Sequence, residues 1–487
     1  MLSSLKLTLP GLRRKMRGCI CTFYRYTRLR KLFAIALLVV FCYLAISYLN
    51  ELGYMGEEYD LSGKIDGWIS ETVPNCSCLL EESPLPESSA HLRKARNWRF
   101  SESKFRRALF GPGTVDKCQA IREKLAFPSA PLSEEEGNYS LAYGLLVYKS
   151  SMQVYLLLSA IYQPQNVYCI AVDSKASRQF KKDMELLSDC FFDNILIMPT
   201  TSDVEWCEFG VARGVFSCLR YLSEMKHDWK YYQYLSGVDL PLKTNLEMVR
   251  IFNRLNGTAN VEVLRFQKNR LASKEKETPP LPLWKSSLSA LLPRETVDAM
   301  FASKKVHELF SFLTDTVCAD ESLWATIVGN QDVLPIPGSF HASEYFIRVR
   351  REKGEIRAGN LVNTTNALTR TPEDPFPMRE YYISRYQVWK SDKWRPIHCA
   401  GKYVQGSCVF GAGDLANLMI RPEMIAHKLY LDFEPAAYFC LYQAVRRRAL
   451  DKESQQVFRG DAYTKLPQVR MTSGEALEEV QFFFTDW

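Results

Sequence analysis

Six histidines in 487 residues, and no Cys-x-x-Cys pair among fourteen cysteines, leave this chain little from which to build a zinc site. A Walker loop and a Gly-x-Gly-x-x-Gly are missing too. Gly411-Ala412-Gly413 is the nearest approach, and such a pair ordinarily serves a tight turn. P-loop hydrolysis and dinucleotide redox chemistry therefore lack their phosphate cradles. No internal repeat is evident, and most of the chain lacks any basic excess. The formal charge is +7, but residues 1–31 hold nine Lys or Arg and no acid. Without those nine, the 62 basic residues fall to 53, against 55 acidic ones. A neutral body of this kind lacks the electrostatic footprint of a nucleic-acid binder, so no nucleic acid is expected as a partner.

Long apolar runs are scarce, with one exception. Residues 32–49, LFAIALLVVFCYLAISYL, carry no charge. As a helix rising about 1.5 Å per residue they reach roughly 27 Å, enough for a thin bilayer. Positive charge before the run, with Glu51, Glu57, Glu58 and Asp60 after it, puts the N-terminus in the cytoplasm and the bulk in a lumen. A cleaved signal peptide is the alternative reading, but the run is long for one and no small-x-small site follows. The expected organisation is a basic cytoplasmic tail over 1–31, a single-pass signal anchor over 32–49, a stem over 50–117 and a folded domain over 118–487. Asn-x-Ser/Thr sequons at Asn75, Asn138, Asn256 and Asn363 suit a lumenal chain. Eleven cysteines lie beyond the apolar run, so at least one stays unpaired if the others bridge.

The stem carries Pro-Ser punctuation (81–89) and a basic run, HLRKARNWRFSESKFRR (91–107), read as a solvated face or a contact for an acidic surface. From about residue 140 strands and helices alternate. AYGLLVYK (142–149), VYCIAVD (167–173), NILIMP (194–199) and YYQYLSGVDLPLK (231–243) read as strands or strand-turns. Helices are expected from Met152, from Ser177, near 208–225 and over NLEMVRIFNRL. Near-continuous apolar strands between helices predict an α/β fold with a mostly parallel sheet covered on both faces. Ligands of such sheets sit at the carboxyl ends of strands, which draws attention to Asp173. A turn or helix-cap role explains that aspartate equally well.

Six blocks in order then become specific: AYGLLVYK, AIYQPQNVYCIAVD, WKYYQYLSGVDLPLKTN, DESLWATI, CVFGAGDL and AHKLYLDFEPAAYFCL. Together they resemble the core 2 β1,6-N-acetylglucosaminyltransferase family, with peptide O-xylosyltransferases as more distant relatives. The resemblance covers roughly residues 75–450. It implies a glycosyltransferase-A type α/β fold, residence in the Golgi membrane, a UDP-sugar donor, a glycoprotein O-glycan acceptor and inversion at the anomeric carbon. It also implies the bridges Cys76–Cys440, Cys118–Cys190, Cys169–Cys218 and Cys399–Cys408. Cys78, Cys207 and Cys318 are left over, and the family's unpaired Cys corresponds to Ser236. The resemblance leaves a homodimer open.

Inverting transfer needs a base for the acceptor hydroxyl and positive charge for the departing nucleoside diphosphate. The chain has no Asp-x-Asp to hold a divalent metal, so metal-independent transfer is expected. The resemblance assigns the base to Glu321, with Asp320 as a cap that puts Glu321 in the first turn of a helix. The alternative is an acidic pair decorating a helix start. Lys428 matches a family cation for the diphosphate, against the alternative of an exposed lysine at a helix end. Gln405 stands where the family carries a second cation, an Arg. Lys402 and Arg446–Arg448 are the candidates to compensate. Asp173 matches the residue near the uridine, and Leu146 and Trp206 flank the base or pack the core. Glu262 and Trp389 match acceptor-binding positions, while the stretch 267–282 and Ser391 depart from the family pattern. N-acetylglucosamine is the family's donor sugar. Glucose or another sugar, a catalytically silent glycan-binding protein and peptide xylosylation are the competing readings.

Overall fold

The computed structural model describes residues 65–74, 76–81, 85–199, 204–352, 356–357, 360–361, 381–391 and 399–475. The basic tail, the apolar run 32–49, and the sequons at Asn75 and Asn363 lie outside the described residues. Among the described residues no helix is long and apolar enough to cross a membrane.

The N-terminal described segment forms helices α1 (Ile65–Thr72), α2 (Ala90–Asn97) and α3 (Glu102–Leu109). Ser89 and Ser101 cap the last two, each accepting from a backbone N–H three residues on. The sheet then begins with β1 (Ser140–Val147) and continues through α4 (Ser151–Ile161), β2 (Val167–Val172), α5 (Arg178–Cys190), β3 (Ile195–Pro199), α6 (Phe209–Glu224) and β4 (Trp229–Ser236). After the short strand β5 (Asp239–Pro241), helix α7 (Asn245–Leu255) opens on a capping box, in which Thr244 and Glu247 satisfy each other's backbone donors. Further on lie β6 (Leu264–Arg265), β7 (Trp284–Lys285), β8 (Leu291–Pro293), β9 (Arg385–Tyr386), β10 (Lys402–Val404), β11 (Ser407–Val409), β12 (Ile425–His427) and α8 (Pro435–Leu450).

The central sheet has the order β3-β2-β1-β4-β8, parallel except for β8. This is the mixed α/β architecture that the apolar strand runs predict. Chain order runs outward from β1 through β2 to β3, whereas β4 lies on the other side of β1. The strand order thus reverses between β1 and β4, and a crevice opens at their carboxyl ends. Leu146 faces Ser236 in register there. β5 turns away to a smaller sheet of order β9-β12-β5, which lays residues 385–386 and 425–427 beside that crevice.

Helix α6 covers one face, where Ala142, Leu146, Cys169 and Ala171 meet Ala212, Val215 and Leu219 in a cluster that extends to Trp324 and Tyr345. On the other face Tyr143 stacks on Tyr168 and its hydroxyl reaches Met248 of α7. The segment 65–109 packs against α8. Trp68 meets Phe439 edge-on at 5.3 Å and Phe105 at 5.6 Å. Within the basic run, Arg106 pairs with buried Asp183 at 2.5 Å, and Arg96 pairs with Glu87 and Glu434. Asp183 and Glu434 lie far along the chain, so these two pairs tie the basic run to the rest of the domain.

The four implied disulfides are formed, and a fifth joins Cys207 to Cys318, leaving Cys78 as the free thiol among the described residues. Asn138 and Asn256 are exposed just beyond helix C-termini, where an oligosaccharyl group would have room.

Candidate active site

The crevice at the β1/β4 reversal is a cavity of about 220 Å³. Its walls include Trp206, Ser236, Glu262, Lys285, Asp320, Glu321, Arg385, Trp389 and His427. Four residues taken from widely separated motifs, Trp206, Glu262, Glu321 and Trp389, therefore meet in one place. Trp206 is 69% exposed, so its indole is a wall of the opening and not core packing. Glu262 is buried, and Trp389 bridges to Ser407 of β11.

Glu321 lies in a 3-10 turn, Ala319–Ser322, ahead of the helix Trp324–Val328. The expected cap is not formed. Cys318 and Leu323 occupy the cap positions without side-chain bonds, and Asp320 is instead turned inward with Oδ1 buried and unbonded. What fixes Glu321 is a pair of cations: Arg270 Nη2 at 2.6 Å and Lys285 Nζ at 3.3 Å, both on Oε2. Its backbone is tied as well, with the Ser286 N–H donating to the Glu321 carbonyl at 2.7 Å. Burial, with the charge of Glu321 beside it, pushes Asp320 up to about 7.

A second charged group closes the opposite wall. Asp239 is fully buried, accepts from the Ser236 N–H at 2.6 Å, and lies 2.5 Å from His427 Nδ1. Burial disfavours the charged carboxylate, but His427, Arg385 and these donors outweigh it and hold Asp239 below the usual range. For His427, burial and then Arg385 lower the imidazole to about 4 despite Asp239. At neutral pH the ring is thus a neutral donor to an ionised aspartate. Arg385 is itself buried and stays charged against Asp239.

Of the donor-side candidates Trp206 lines this cavity, and Asp173, Leu146, Lys428 and Gln405 do not. Asp173 follows β2, and its Oδ1 accepts from the Lys175 N–H at 3.0 Å and the Val204 N–H at 3.4 Å. It is a turn aspartate that also ties the Trp206 loop to the sheet. Leu146 packs in the core cluster at the end of β1. Lys428 is neither exposed nor at a helix end. It directly follows β12, is 7% exposed, donates to the Val404 carbonyl at 3.3 Å, and burial followed by Lys149 lowers its pKa. Gln405 is exposed at the tip of the β10–β11 hairpin, with φ 52°. Arg446, Arg447 and Arg448 do not compensate for the missing arginine. They are bonded to Asp66 and the Ser159 carbonyl, to Ser70, and to Glu247 and the Leu242 carbonyl. Lys402 lies over the Phe433 ring, 4.3 Å from its centroid. Lys149 lies nearer to Lys428, its ammonium 3.7 Å from the Tyr430 centroid and that of Lys428 5.6 Å from the same centroid, and it is itself paired with Asp432 at 3.0 Å.

Arg270, Lys285, Arg385, Asp239 and His427 were not singled out from the sequence. Asp239 and His427 sit inside quoted blocks, one residue or a few from strand ends, and that position was the available signal. Arg270 lies in the stretch that departs from the family pattern, where no signal existed. Among the described residues one group of three potential metal ligands lies close together, Cys399, Cys408 and Asp414, and its two sulfurs are bonded to each other. A larger cleft of about 500 Å³ opens beside Arg250 and Arg254, but Glu135, Asp461 and the carbonyls of Gln455 and Phe458 occupy those guanidiniums.

Residues 141–341 match the Core-2/I-Branching enzyme family model, a span that includes β1 to β4, Glu262 and Glu321. A human β-1,3-galactosyl-O-glycosyl-glycoprotein β-1,6-N-acetylglucosaminyltransferase is 29% identical over 352 residues, covering 69% of this chain and 76% of the relative. A mouse β-1,3-galactosyl-O-glycosyl-glycoprotein β-1,6-N-acetylglucosaminyltransferase 3 is 26% identical over 403 residues, covering 77% of this chain and 83% of the relative. The solved structure of mouse xyloside xylosyltransferase 1 overlaps 59% of this chain and 97% of that one, at 14% identity and a TM-score of 0.23. With a parallel sheet opening at its reversal point onto a clamped glutamate, a match of residues 141–341 to the Core-2/I-Branching enzyme model and these relatives alongside, the chain is a glycosyltransferase.

Proposed function

We propose that this glycosyltransferase moves N-acetylglucosamine from its UDP donor to the 6-hydroxyl of core 1 O-glycans on glycoproteins, inverting the anomeric carbon without a metal. The carrying observation is the convergence of Glu321, Glu262, Trp206 and Trp389 on one cavity. Glu321 Oε1 takes the hydroxyl proton as the oxygen attacks, while Arg270 and Lys285 hold the carboxylate through Oε2. Glu262 accepts sugar hydroxyl bonds, and the Trp389 face meets a sugar ring. Asp173 and Trp206 border the uridine. The C–O bond to UDP breaks with its electron pair leaving on the diphosphate, and the Lys428 ammonium, with Lys149 beside it, stabilises that charge. The acceptor assignment draws on the relatives' names. Membrane anchoring through residues 32–49 and a Golgi location belong to the same proposal.

Gln405 favours one competing reading, transfer from another UDP-sugar, since it removes a cation from the phosphate side. The test uses the full-length chain in detergent with EDTA, UDP-N-acetylglucosamine or UDP-glucose, and a core 1 disaccharide. Parent turnover with the first donor, and a loss of about 10²-fold or more in Glu321→Gln, is the expected result. Transfer only from UDP-glucose would reassign the donor. Full retention of activity in Glu321→Gln, or activity abolished by EDTA, would overturn the mechanism.

A further inference from the structure

We propose that the Cys207–Cys318 disulfide is a positioning element of the active site, holding the wall that bears Trp206 and the turn that bears Glu321 in register. The proposal rests on reading Glu321 as the base. The two cysteines come from different parts of the chain, 111 residues apart, and neither belongs to the four bridges that the resemblance implies.

The bridge lies between the groups that must meet substrate. Cys207 lines the cavity next to Trp206. Cys318 opens the turn that carries Asp320 and Glu321, and its carbonyl accepts the Glu321 N–H at 3.0 Å. The two strands of the link are also joined by backbone, the Cys318 N–H donating to the Cys207 carbonyl at 3.0 Å. Arg270 belongs to the same unit. Its carbonyl accepts from the Val317 N–H at 2.8 Å, its Nη1 reaches the Cys318 carbonyl at 3.5 Å, and its Nη2 clamps Glu321. Moving Cys318 therefore moves the base and the cation that orients it together.

Both cysteines hold left-handed backbone, with φ of 65° at Cys207 and 51° at Cys318. Residues with a Cβ adopt that region at a cost, and only where the surroundings enforce it. Here the enforcing element is the covalent link between the two strained positions. Without it each segment relaxes toward ordinary backbone, Trp206 swings from the opening and Glu321 leaves its place. Four other disulfides remain to hold the fold.

The experiment compares the full-length chain with its Cys207→Ser/Cys318→Ser double variant. Non-reducing peptide mapping of the parent should recover the two cysteines as one cross-linked pair; recovery of both as free thiols overturns the proposal. Kinetics are then run well below the melting temperature of the variant. Misplacing the base should lower kcat by about 10- to 100-fold, with a smaller rise in donor KM from the loosened Trp206 wall. A bridge that served stability alone would lower the melting temperature and leave kcat within about twofold, which also overturns it. Amide hydrogen exchange provides a readout independent of turnover. The Ser286 and Glu321 amides should exchange faster in the variant while β1 and β4 stay protected, and unchanged exchange there overturns the proposal. A parent that is inactive on every donor, yet loses this protection in the variant, would overturn the assigned reaction and leave the positioning role standing.

Discussion

Asp320 sits one residue from the base with a carboxylate oxygen sealed from solvent and unbonded, and its pKa is raised to about 7 by burial and then by Glu321. In the unfolded chain the same group titrates near the ordinary value of about 3.9. Between those values the folded chain keeps a proton that the unfolded chain has released. The stabilisation is therefore complete below the unfolded pKa and is lost as pH rises through 7. Asn at this position is neutral throughout. Asp320→Asn should thus gain about 2–3 kcal/mol relative to the parent between roughly pH 5 and pH 7.5, measured by denaturant unfolding at both. An equal difference at the two pH values would show that Asp320 ionises normally. A whole block carried Glu321, whereas Glu262, Trp206 and Trp389 were named as single positions through the family likeness, and all four line one cavity. The charge state of Asp320 was not legible in the sequence, because it depends on burial in the folded chain, nor were the Arg270 clamp and the Asp239–His427 pair, whose partners lie 51 and 188 residues apart.

At the scale of elements, periodicity served well where burial is continuous. β1, β2, β3 and β4 fall within two residues of their apolar runs, apart from the turn residues that follow β4, and α7 coincides with NLEMVRIFNRL. The expected helix across ADESLWATI is instead a 3-10 turn followed by a five-residue helix, since Glu321 is held by cations and not by helical hydrogen bonds. Helices α1 to α3 carry only short apolar stripes, Ile65, Trp68 and Ile69 in α1, Leu92 and Ala95 in α2, and Phe105, Ala108 and Leu109 in α3, set among the charged and Pro-Ser segments that were read as a stem. Their contribution is a few aromatic anchors, chiefly Trp68, which is 7% exposed and lies against Phe105 and Phe439. Trp68→Ala should cost about 3–5 kcal/mol, seen as a lower thermal midpoint. Loss of under about 1 kcal/mol would mean that this end of the chain is only loosely attached.

Across the whole molecule, Cys76–Cys440 links α8 to the N-terminal helices over a separation of 364 residues. A loop of that size constrains the unfolded chain strongly, so replacing both cysteines by serine should cost about 4–5 kcal/mol in unfolding experiments. A cost near zero would assign the attachment of α1 to Trp68 and its neighbours alone. The mixed α/β class was legible because strand and helix alternate in sequence. This closure was not legible from spacing and came only through family likeness, since eleven cysteines allow many pairings. The separation has a consequence for biosynthesis. Cys76 leaves the ribosome early and must wait for nearly the rest of the chain before Cys440 exists, with Cys78 two residues away as a rival thiol. During that interval, in any oxidising compartment, wrong pairings form first and must be undone by thiol–disulfide exchange. Closure of Cys76–Cys440 therefore comes only after nearly the whole chain has been made, and any earlier pairing of Cys76 has to be exchanged before the N-terminal helices can be fastened to α8.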